Sequence, residues 1–70
     1  MMNEIGEPIT DVRVKLIGED GNAFNILGKV SKALRDAGYD QAFIDGYMEQ
    51  ATSGDYDHLL MTTMIYVEVE

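Results

Sequence analysis

Ser53 and His58 are the first residues to weigh, because a hydroxyl and an imidazole are the least that nucleophilic catalysis needs. His58 is the sole histidine, the only other serine is Ser31, and there is no cysteine. Ser53-Gly54-Asp55 reads as the end of one helix and the cap of the next, not as a strained nucleophile turn. A lone histidine in the first turn of a helix is expected to face solvent. No catalytic residue is assigned, and the chain is not expected to be an enzyme.

Two ligand motifs also fail on spacing. Gly21 and Gly28-Lys29 have six residues between the glycines, and Val30 follows the lysine. A phosphate loop needs four residues there and a Ser or Thr after the lysine. If Gly21 were the turn glycine of a calcium loop, Leu16 and Gly18 would fall at the first and third ligand positions, which demand oxygen side chains. No cofactor is implied.

Three surfaces remain as candidates. If the elements run up and down, the loops 18–22 and 52–58 meet, and Glu19, Asp20, Asn22, Asp55, Asp57 and His58 gather at one pole. Such oxygen ligands suit a divalent cation, although acids at helix N-termini are stabilised by the helix dipole without any ligand. The second surface carries Lys29, Lys32 and Arg35 with Phe24 alongside. Those bases suit phosphates and that ring suits stacking on a base. The third is the apolar tail 59–67, with Met61, Met64 and Tyr66 as its candidate contact residues.

The charge distribution sorts these options. Residues 1–35 hold five acids and all five bases, whereas residues 36–70 hold eight acids and no Lys or Arg, for a net charge of −8. A chain so charged repels nucleic acid and anionic lipid. A nucleic-acid role would have to use the first half and is disfavoured. No apolar run approaches the length of a membrane span, and Met1-Met2-Asn3-Glu4 lacks the basic start of a signal peptide. A cytoplasmic location is the resulting expectation.

These residues must be positioned by few elements. Residues 1–9 read as a flexible lead-in and residues 10–70 as one α+β domain. Thr10 to Ile17 alternates, with Val12, Val14 and Leu16 on one side and Asp11, Arg13 and Lys15 on the other, which predicts a half-buried strand. Gly18-Glu19-Asp20-Gly21-Asn22 is turn chemistry, and Asn22 or Asp20 can cap the helix that follows. A helix is predicted over 23–37, its buried stripe Ala23, Ile26, Leu27, Val30, Ala33, Leu34 and Ala37. Gly38 supplies the left-handed stop, with Tyr39 folding back onto Leu34. Asp40 caps a second helix that buries Ile44, Tyr47, Met48 and Ala51 and has Tyr39 as a staple to Ile44. Asp55 caps a third, in which Tyr56, Leu60 and Met64 line up.

The third helix is expected to yield to a strand near Ile65, since Thr62, Thr63, Ile65, Tyr66 and Val67 favour extended structure. Pairing of this strand with the first would bring Arg13 and Lys15 near Glu68 and Glu70; its direction is left open. Gly28 inside the first helix costs about 1 kcal/mol relative to alanine, which suggests close approach of another element.

The stretches Lys15-Leu16-Ile17-Gly18-Glu19-Asp20-Gly21-Asn22-Ala23-Phe24 and Ala51-Thr52-Ser53-Gly54-Asp55-Tyr56-Asp57-His58-Leu59-Leu60 resemble a group of small uncharacterised bacterial and phage proteins. The similarity spans about residues 12–70. It implies a bacterial or phage source and no particular activity. The expected function is that of a small, acidic, non-catalytic interaction or regulatory protein that binds a protein partner or itself. The alternatives are a nucleic-acid accessory protein and a cation-binding module.

Overall fold

The computed structural model describes residues 8–16, 18 and 20–70. Its order is β1 (Arg13–Val14), α1 (Ala23–Asp36), α2 (Gln41–Ala51), α3 (Tyr56–Tyr66) and β2 (Glu68–Val69). The helices run alternately down, up and down from the end of β1, so β2 returns in the same direction as β1. The sheet is therefore parallel, with Arg13 opposite Glu68 and Val14 opposite Val69. A parallel pair needs a long crossover, and here three helices supply it.

Each helix starts on a side chain that satisfies an otherwise unbonded amide. Asn22 accepts from the Asn25 amide, Asp40 from the Phe43 amide and Asp55 from the His58 amide. α1 ends as the glycine pattern predicts. Gly38 sits at φ +98°; its amide bonds to the Arg35 carbonyl and the Tyr39 amide to the Leu34 carbonyl. This double closure satisfies two end carbonyls. Ala37 is the cap and is exposed rather than part of the buried stripe, because the helix stops at Asp36.

The core gathers Ile26, Leu27, Val30 and Leu34 of α1, Ile44, Tyr47 and Ala51 of α2, Leu59 of α3, and Val14 and Val67. The Tyr39 ring stacks on Phe43 at 4.7 Å between centroids. Phe43 and Tyr47 both meet Tyr66 edge-on, at 5.5 and 5.3 Å. This arrangement suits the ring quadrupoles.

The tail departs from expectation. α3 continues through Ile65 to Tyr66, and the strand starts only at Glu68. Thr63 explains the extension. Its hydroxyl bonds back to the Leu59 carbonyl at 2.8 Å and lies 2.8 Å from the Tyr47 hydroxyl, so its polar atom is satisfied inside a buried helix. Leu59, Thr62 and Thr63 are the buried positions, not the stripe Tyr56, Leu60 and Met64. Docking on α2 through Tyr47 turns the helix so that Tyr56 and Met64 are exposed and Leu60 is half-buried against the core.

The late start of β2 also shortens β1. Beyond the two paired residues, the ladder is extended by the Glu68 amide to the Val12 carbonyl and the Leu16 amide to the Glu70 carbonyl. Below it, Ile9 and Thr10 bond through their amides to the carbonyls of Ile65 and Tyr66. Arg13 Nε lies 3.6 Å from Glu68 Oε1, both side chains exposed. No element lies against Gly28: a methyl group there would meet nothing within 4 Å.

Candidate functional site

The loops after β1 and between α2 and α3 meet. The Tyr56 hydroxyl donates to the Gly21 carbonyl, which pins the start of α3 beside the start of α1. Asp20 and Asp55 at this pole are engaged in local turns and caps. Asp20 accepts from the amide and the side chain of Asn22 at 3.2 and 3.0 Å, and Asp55 is spent on its cap. Asp57 is exposed in the first turn of α3. Glu19 lies outside the described residues. Among the described residues no group of three or more His, Cys, Asp or Glu is placed to hold a metal ion.

Ser53 and His58 are in contact, and their hydrogen atoms define what they do. His58 Nε2 lies 2.9 Å from the Gln50 carbonyl and 3.2 Å from Ser53 Oγ. A carbonyl only accepts, so Nε2 carries a hydrogen and donates it. Ser53 Oγ donates to the same carbonyl at 2.8 Å. The imidazole nitrogen that faces the serine is therefore a donor, not a base. The last turn of α2 has no basic residue, and His58 supplies a donor to its end from the neighbouring helix. Gly54 makes room for this, because a Cβ there would lie 2.8 Å from His58 Cβ and Cγ. The pair is a joint between α2 and α3.

Lys29 and Lys32 lie on a different flank of α1 from the exposed ring of Phe24, whereas Arg35 lies within about 20° of that ring at 100° per residue but about three turns further along the helix. Lys29 reaches across to the Lys15 carbonyl at 3.3 Å, and Lys32 bonds to Asp36 at 2.8 Å. Both line a groove against β1. Arg35 is exposed. Phe24, 88% exposed, borders a different hollow with Leu27, Ala51, Tyr56 and Leu59. The helical angle between Phe24 and Lys29 is about 140° at 100° per residue, so ring and amine do not form one stacking-and-phosphate face.

An apolar face was legible only in part. Tyr56 separates two hollows. One, of about 300 Å³, lies between Phe24 and Leu59. The other, of about 240 Å³, lies between Leu16, Ile26, Leu60, Val69 and Met64. The outer side of α3 continues this face with Met61, Met64 and Ile65, which are 61%, 54% and 54% exposed. Tyr66 is half-buried in the aromatic cluster. Sequence reasoning included Ile65 in the apolar tail but as the start of a strand, and did not name Tyr56 as a surface residue. The signal available was the apolar residue at every turn of α3, more than one buried stripe requires.

No helix among the described residues is long and apolar enough to cross a membrane. Comparison with family models, with curated proteins and with solved structures finds no match.

Proposed function

We propose that the chain is a non-catalytic interaction protein that associates with a second copy of itself through the outer face of α3. The observation that carries this is Met61, Met64 and Ile65, more than half exposed on one helical face and continuous through Met64 with an apolar hollow. A contiguous exposed apolar patch marks an interaction surface, and methionine adapts well to such a role. A core this small, with no disulfide, supplies roughly 3–5 kcal/mol, and oligomerisation is a common reinforcement. A symmetric pair buries the same patch on both copies.

Methyl resonances of the methionines test the reading. On dilution the Met61 and Met64 methyl signals shift while that of Met48, packed beside Ser31, stays fixed. Shifts confined to Met48, or none at all, would refute it. The two copies carry like charge, so salt strengthens the pairing by screening their repulsion.

A further inference from the structure

Four of the five basic residues, Arg13, Lys15, Lys29 and Lys32, line one groove between β1 and α1. The groove encloses about 250 Å³, and among the described residues Asp36 is the acidic one that lines it. In a chain of net charge −8 this is a marked concentration of positive charge, and it lies apart from the α3 face.

The backbone of β1 adds a second observation. β2 bonds to Val12, Val14 and Leu16. Alternate residues of a strand turn their amides and carbonyls to opposite edges, so Arg13 and Lys15 turn theirs to the outer edge. The Lys15 carbonyl there accepts from Lys29. Among the described residues, the amides of Arg13 and Lys15 and the Arg13 carbonyl make no other backbone bond outside the strand pair. The inner edge of the same strand already pairs with Glu68-Val69-Glu70, Arg13 against Glu68.

We infer that the outer edge of β1 receives an extended acidic peptide of a partner protein as a further strand. Main-chain bonds to Arg13 and Lys15 supply the pairing, as in other edge-strand recognition. Carboxylates on one side of the added strand meet the Arg13 and Lys15 side chains. Those on the other side meet Lys29 and Lys32. A second copy paired edge to edge would set these four bases against themselves, which charged edge strands prevent. Nucleic acid fits less well, because no aromatic ring among the described residues lines this groove and the overall charge repels it.

The test is a titration of the full chain with a labelled ten-residue peptide of alternating Glu and Val, followed by fluorescence anisotropy and by amide chemical shifts. The expected result is saturable binding at low salt, with the largest shifts at the Arg13 and Lys15 amides. Replacing Glu by Gln in the peptide weakens binding at least tenfold. Lys32→Glu and Lys32→Gln each weaken it severalfold, and the amide spectrum confirms that both variants fold. Binding weakens with added salt, opposite in sign to self-association. The inference is overturned by absence of binding at low salt, by equal binding of the Gln peptide, or by shifts that bypass β1. It is also overturned if a ten-nucleotide oligothymidine binds more tightly and displaces the peptide.

Discussion

Tyr47 donates its phenolic hydrogen to Thr63 in the interior of the α2–α3 interface. The two oxygens are 2.8 Å apart, and the single hydroxyl hydrogen of Thr63 is already given to the Leu59 carbonyl. The direction of the bond follows. Thr63→Val then removes the acceptor and leaves the Tyr47 hydroxyl buried and unbonded, at a cost of about 1–3 kcal/mol. Tyr47→Phe leaves Thr63 with its bond to Leu59 and costs about 1 kcal/mol. The double variant loses less than the sum, because the Tyr47 hydroxyl that Thr63→Val orphans is itself gone. Urea denaturation of the four proteins measures this; strict additivity would contradict the bond.

The same tyrosine gives the fold an alkaline limit. Burial raises the Tyr47 pKa above its ordinary 10.0, partly opposed by the bond to Thr63. The folded state therefore holds this proton more tightly than the unfolded chain does. Its contribution is complete below pH 10 and is lost as pH rises through the raised value. Melting temperatures above pH 10 should fall less steeply in Tyr47→Phe. An equal slope would show that other groups set the limit.

Gly28 is exposed on α1 with open space where a side chain would be. Gly28→Ala therefore stabilises by about 1 kcal/mol, which raises the melting temperature by about 4–8 °C in a domain of this size. A lower melting temperature would mean that the backbone at Gly28 is held against something, such as a second molecule.

The sequence made the element order, two of the caps and the α1 stop legible because each rests on local chemistry: Asp40 and Asp55 before apolar repeats, and Gly38 after one; it narrowed the first cap to Asn22 or Asp20, and Asn22 takes it. That Arg13 and Lys15 would lie near Glu68 and Glu70 was legible too, since alternation puts all four on the outer face; the direction and register of the pairing were not. The end of α3 was not. Thr62, Thr63 and Ile65 have extended preferences that their own neighbours support, and the winning contact comes from Tyr47, sixteen residues before Thr63. Propensity yields to such a contact. The two loops could be placed at one pole from the up-and-down order alone. The role of His58 could not, because it depends on a carbonyl of another helix.

Static light scattering on a dilution series of the native chain and of Met64→Glu tests self-association most directly. The native protein should pass from twice the monomer mass to the monomer mass on dilution, with the midpoint moving to lower concentration as salt is added. Met64→Glu should stay monomeric over the same range with an unchanged circular dichroism spectrum. A native chain that is monomeric at every concentration, or a variant that associates as the native chain does, would contradict the assignment of the α3 face.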